Sequence, residues 1–173
     1  MRLFIAIALS SAVKQRLQTI QKVFKPLGLM TCPDNIHLTL KYLGDAKPKE
    51  ILTALKPVFL PRLTLEVDRL GVFGTLEAPR VLWAGLKQSQ ELFDLKKSID
   101  SLIPRIHDLN EFKAHLTLAR IRQVYSSKEF QNALQIPVDN LAFDVSSIAL
   151  FNSKLSAEGA EYEVLGTFPA QSL

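Results

Sequence analysis

The tetrapeptide His-Leu-Thr-Leu occurs twice, at residues 37–40 and 115–118, in a chain that has only three histidines. The copies lie 78 positions apart (115 − 37), and the surrounding pattern repeats at nearly the same distance. Leu3 corresponds to Leu82, and Leu65 to Phe143 or Asp144, always at an offset of 78 or 79. A period this long is not that of a solenoid, so it calls for two pseudo-equivalent units sharing one core. In an extended strand, alternate side chains share a face. His37 and Thr39 therefore look one way and Leu38 and Leu40 the other, and the second copy places His115 and Thr117 opposite Leu116 and Leu118. Each copy can thus pack one face in a core while showing an imidazole and a hydroxyl on the other.

The rest of the chain follows the same order in both halves. Leu3–Leu9 reads as a buried strand, and Val13, Leu17, Ile20 and Phe24 recur at helical spacing after a cap at Ser10 or Ser11, ending near Pro26 and Gly28. Ile36–Leu43 is a strand, Pro48 opens a short helix, and Leu63–Leu70 alternates as a strand. "GVFGTLEAPR" reads as a connection marked by Gly and Pro. Val81–Leu86 is then a strand, Leu92, Leu95, Ile99 and Leu102 form a helical stripe, and His115–Ile121 is a strand. Ser126–Leu134 is a short helix, Leu141–Phe151 a strand, and a last strand near Tyr162–Phe168 has no counterpart in the first half. The expected fold is α+β. It is a duplicated, pseudo-symmetric two-lobe domain over residues 1–173, with repeats at about 1–78 and 79–173 and mostly antiparallel sheets lining a central cleft, helices outside.

Composition narrows the setting. With 47% hydrophobic and 22% charged residues the chain is an ordinary globular one. The net charge of +4 suits a polyanionic partner, but the basic residues are scattered and form no tract. A single cysteine, Cys32, allows no internal disulfide and favours a reducing, cytoplasmic setting; it reads as a small buried hydrophobe in preference to a nucleophile. The start "MRLFIAIALSSAVK" mimics a signal peptide, yet its apolar run is short and a buried strand before a helix cap is preferred. No stretch reaches transmembrane length, so no membrane partner is expected.

Two imidazoles and two hydroxyls facing one cleft suit phosphodiester chemistry. A neutral imidazole takes a proton from an attacking water while an imidazolium gives one to the leaving ribose oxygen. An unperturbed pKa near 6.5 lets both forms exist around neutrality. The hydroxyls of Thr39 and Thr117 can donate to phosphate oxygens where charge accumulates. No metal or cofactor is required. Two ordinary core strands would explain the leucines, but not why the polar pair survives in halves that otherwise share few identical letters. A zinc site lacks a third ligand, since Asp34 and Asp45 near the first copy have no counterparts near the second. There is no nucleophile elbow, and no Gly-rich phosphate loop. His107, beside Pro104, reads as a surface residue.

The paired tetrads, with "RLFIAIAL", "NIHLTLKYLG", "PRVLWAGL", "HLTLAR" and "LFNSKLSAEGAEY", resemble the two-histidine phosphoesterase superfamily, and within it the RNA 2′,3′-cyclic phosphodiesterases, also called 2′-5′ RNA ligases. The resemblance implies hydrolysis of a terminal 2′,3′-cyclic phosphate to a 2′-phosphomonoester, and a reversible, ATP-independent 2′-5′ joining of RNA ends. It implies His37 as proton donor and His115 as proton acceptor, although identical tetrads do not orient the pair by themselves. Thr39 and Thr117 would hold phosphate oxygens, and Arg120 would bind phosphate. Strict alternation puts Arg120 on the wrong face, so that role needs a bulge or a strand end; otherwise it is a surface arginine. Tyr42 stands at the matching place in the first half. Lys41 shares the strand parity of His37 and could add charge or simply be solvated; Arg80 and Phe4 are further candidates for the cleft, Phe4 able to stack a base although its pattern alone reads as core. Ala114 departs from the proline that often precedes the second tetrad. The expected partners are RNA ends or nucleotides carrying a 2′,3′-cyclic phosphate, and the expected state is monomeric. Alternatives are action on another small cyclic nucleotide or 2′-5′ oligonucleotide, or a non-catalytic RNA-binding role.

Overall fold

The computed structural model describes residues 1–104, 106, 111–138, 140–156 and 159–171; His107 lies outside the described residues. Nine strands and four helices are defined among them. They are β1 (Arg2–Ala8), α1 (Ser11–Phe24), β2 (Gly28–Thr31), β3 (His37–Asp45), α2 (Pro48–Leu55), β4 (Leu63–Gly74), β5 (Pro79–Leu86), α3 (Gln90–Leu102), β6 (His115–Val124), α4 (Ser127–Ala133), β7 (Ala142–Val145), β8 (Ser147–Ser156) and β9 (Gly159–Pro169). Helix starts follow local chemistry. The side chains of Ser10, Ser89 and Ser126 accept from the backbone N–H three residues on, and Pro48 sits at the first turn of α2 where its missing donor costs nothing.

The strands form one antiparallel sheet in the order β7-β4-β5-β6-β3-β1-β8-β9, with β2 added to β6. Only Ser146 separates β7 from β8, so the chain ties one end of this path to a strand near its other end. The sheet must curl, and the expected two faces of a cleft are the concave side of one continuous surface. Leu3, Ile5, Ile7, Leu38, Leu40, Leu116 and Leu118 pack into the main core behind it with the buried faces of α1 and α3.

Two pairings reveal the symmetry. Leu38 pairs with Leu116, and Leu65 with Phe143, each a residue joined to its own repeat equivalent. A twofold axis requires this of any residue beside it. From the second point the third strands separate: β4 runs on beside β5, while β8 crosses to β1. Helices cross as well, α1 packing on β6 and α3 on β3. Segments 1–78 and 79–173 therefore repeat in sequence while their strands interleave in space.

Several expected boundaries move. The connection proposed for 71–80 is largely strand, because β4 continues to Gly74 and β5 begins at Pro79. Leu141–Phe151 is two strands rather than one, and β2 has too few residues to show a period in sequence. Phe24 of α1 and Phe130 of α4 meet edge to face at 5.3 Å, both fully buried. Phe24→Ala should destabilise the protein by about 3–5 kcal/mol in denaturant unfolding. Phe93→Ala, on an exposed face of α3, should stay within about 0.5 kcal/mol.

Candidate active site

The single bridge between β3 and β6, Leu38 to Leu116, organises the concave face. Continuing that antiparallel register by one residue each way sets His37 beside Thr117 and Thr39 beside His115. All four side chains then project from the face opposite the buried leucines. The two histidines are diagonal neighbours, a relation that places Cα atoms about 7–8 Å apart in a regular ladder. His37, Thr39, Thr117 and Arg120 line one cleft of about 590 Å³ together with Asn35 and Tyr162. His115 flanks it, close enough that its charge bears on the titration of His37.

Both imidazoles are held the same way. His37 Nδ1 donates to the carbonyl of Asn35 at 2.8 Å, and His115 Nδ1 to that of Lys113 at 2.6 Å. A carbonyl only accepts, so each ring carries its proton on Nδ1 when neutral, leaving Nε2 as the nitrogen that exchanges a proton. Burial pushes the pKa of His37 below its ordinary value, opposed by the Asn35 carbonyl and reinforced by the charges of Lys14 and His115. Burial likewise lowers His115 against the Lys113 carbonyl. Aromatic rings supply this burial. Phe4 stacks on His37 at 5.0 Å and Tyr162 meets it edge-on at 5.1 Å, while Phe73 meets His115 edge-on at 4.8 Å.

Arg120 reaches the cleft through a bulge. Leu82 pairs with Ala119 but Trp83 with Thr117, so Leu118 is an extra residue in β6. Leu118 and Ala119 are both buried, and the alternation resumes with Arg120 on the histidine face. The first half has the same device: Ile5 pairs with Lys41 and Ala6 with Thr39, leaving Leu40 extra. This overturns the parity reading of Lys41. Its side chain is 2% exposed and its Nζ lies 2.6 Å from Asp100 Oδ1 on α3, behind the sheet. Tyr42, 53% exposed and paired with Phe4 across β1, takes the histidine face instead.

Two further expectations change. Phe4 is 4% exposed and packed beneath His37, so it buttresses the imidazole and has no open face for a base. Arg80 lies in a separate groove with Arg122 near the β4–β5 turn. The carbonyls of Asn35 and Lys113 and the rings of Phe73, Phe151 and Tyr162 were not legible as site residues. The carbonyls carry no side-chain signature, and the aromatics come from distant strands. Cys32 lines the cleft half-buried, and burial raises its thiol pKa. Among the described residues no group of three His, Cys, Asp or Glu is placed to hold a metal ion, and no helix is long and apolar enough to cross a membrane.

The RNA 2′,3′-cyclic phosphodiesterase of Methanocaldococcus jannaschii is 28% identical over 173 residues, covering 95% of this chain and 98% of that protein. The protein of the same name from Aquifex aeolicus is 29% identical, covering 96% of each. The crystal structure of Escherichia coli LigT in apo form superposes with a TM-score of 0.79 at 26% identity, over 99% of this chain and 98% of that one. That of a Thermus thermophilus protein gives 0.82 at 25%, over 98% and 97%. The family model of the 2′-5′ RNA ligase superfamily matches residues 4–156, both tetrads included, and the chain belongs to that superfamily.

Proposed function

We propose that this protein hydrolyses the 2′,3′-cyclic phosphate at an RNA end or on a nucleotide to a 2′-phosphomonoester, by general acid–base catalysis between His37 and His115. The observation that carries the reading is the diagonal placement of two Nδ1-anchored imidazoles on one concave face, with a threonine beside each. In phosphoryl transfer the entering and leaving oxygens lie roughly in line. Acid and base must then approach from opposite sides, which two symmetry-related histidines do.

His115 Nε2 takes a proton from water as the water oxygen bonds to phosphorus. The P–O3′ bond breaks, and His37 Nε2–H delivers its proton to O3′. The product is a 2′-phosphomonoester with a free 3′-hydroxyl, and the two histidines have exchanged protonation states. Thr39 and Thr117 donate hydrogen bonds to the non-bridging oxygens, and Arg120 adds a charged donor at the edge of the cleft. The same geometry accepts a 5′-hydroxyl in place of water, which joins two RNA ends by a 2′-5′ bond without ATP. The curated relatives named as RNA 2′,3′-cyclic phosphodiesterases support this substrate. Both half-sites lie in one chain, which supports action as a monomer, and the lone cysteine supports a reducing, cytoplasmic setting.

Incubation with a 2′,3′-cyclic-phosphate oligonucleotide in EDTA should yield the 2′-phosphate. His37→Ala or His115→Ala should each lower kcat by about 10²–10⁴-fold. No turnover, or activity unchanged in both variants, contradicts the proposal; a 3′-phosphate product reverses the leaving group.

The pKa directions fix the pH profile. The base works when neutral, so activity climbs with pH through one depressed pKa. The acid works when protonated, so activity falls with pH through the other. With both lowered in the free enzyme, kcat/KM should peak below about 6.5. Lys14→Ala removes a charge that lowers His37, so the limb that reports His37 should move to higher pH while the other stays.

A further inference from the structure

Gln21 is a buried polar residue on the packed face of α1, among Val13, Leu17 and Phe24. Burying an amide is unfavourable unless its donors and acceptors are met. Its Nε2 donates to two backbone carbonyls at once, that of Leu118 at 2.8 Å and that of Pro33 at 3.0 Å. Neither acceptor is an ordinary one. Leu118 is the extra residue of the β6 bulge, whose backbone the ladder leaves without its regular partner. Pro33 belongs to the segment between β2 and β3 that forms a wall of the cleft. Thr31, just before it, pairs with Arg120. One side chain thus joins a helix behind the sheet, the bulge that turns Arg120 forward, and the strand lying beside Arg120.

We propose that Gln21 is a positioning residue for Arg120: by satisfying the bulged Leu118 carbonyl, it locks the two-for-one register that puts the guanidinium on the histidine face. This rests on Arg120 contacting the substrate phosphate. The other half carries a clamp at the same place. Ser10 and Ser89 cap the two helices, and from each cap the eleventh residue onward is Gln21 or Asp100. Asp100 grips its bulge by another chemistry, accepting from Lys41, the residue after the extra Leu40, and from Lys96. Burial acts to raise the Asp100 carboxyl, and the two lysines outweigh it and hold it below the usual range. Each sequence half therefore supplies the clamp for the other half's reactive strand, and the interleaving of α1 on β6 and α3 on β3 has a consequence for the site.

Losing the Gln21 donors leaves a buried carbonyl unpaired and frees the strand to slip back to simple alternation, which would turn Arg120 away from the histidines. A lysine at this position keeps a donor that can reach a carbonyl. The test is the dissociation constant for adenosine 2′-monophosphate, by calorimetry, in wild type, Gln21→Met, Gln21→Lys, Arg120→Ala and the double variant Gln21→Met/Arg120→Ala. Thermal unfolding and the pH profile of kcat/KM are followed in each. Arg120→Ala should weaken binding about tenfold or more, and Gln21→Met about three- to tenfold. The double variant should bind no worse than Arg120→Ala alone. Gln21→Lys should restore binding, and the pH limbs should hold their positions throughout. Wild-type affinity in Gln21→Met, or additive losses in the double variant, overturns the proposal. Wild-type affinity in Arg120→Ala overturns the Arg120 reading and the proposal with it. Failure of the catalytic reading would show separately, as absent turnover with Arg120-dependent binding intact.

Discussion

One hydrogen-bonded bridge, Leu38 to Leu116, is the point on which the site depends. It joins two identical tetrads at their symmetry axis and fixes their register, and a slip of one residue would turn every side chain of one strand to the wrong face. The leucines anchor the bridge from behind, in the core, so the register that positions the histidines is enforced by apolar burial. The imidazoles contribute little to that choice. The register of the two strands is thereby tied to the core, because a slip that moves the histidines also exposes core leucines.

Beyond the bridge the two strands part, each bulging one residue after its threonine. Identical scaffolding then carries unequal chemistry. The residue after the bulged leucine is Lys41 on one side and Ala119 on the other, the clamp Asp100 or Gln21, and the residue turned forward Tyr42 or Arg120. An ion pair on one side and a neutral amide on the other tie each helix to the strand it packs against. The amide avoids the desolvation of two charges; the ion pair leaves Asp100 partly in water, which lowers that cost. The functional asymmetry follows: one flank offers an aromatic surface and the other a cation.

Much of this was legible in the letters. The two histidines and two threonines singled out by the tetrads do come together on the face that alternation assigns them, and the repeat anticipated the α+β fold. The failures have one main source. A bulge adds a residue with no local signature, so parity counted along "HLTLKY" put Lys41 forward and Tyr42 back, the reverse of the structure. Arg120 escaped the same error only because the role expected of it demanded a bulge in advance. Exchange of the third strands was equally silent, since Leu65 and Phe143 look like equivalents and are also partners. Backbone carbonyls that orient the rings, at Asn35 and Lys113, can be found only in three dimensions.

The central claim is that both rings are anchored at Nδ1 and act through Nε2, on either side of one phosphate. Nitrogen-15 NMR of the histidine rings at neutral pH measures it directly. Two rings with protonated Nδ1 and bare Nε2, whose Nε2 signals both move when adenosine 2′-monophosphate is added, are the predicted result. A neutral ring of His37 or His115 carrying its single proton on Nε2 with Nδ1 bare, or a response confined to one of the two, would contradict the account.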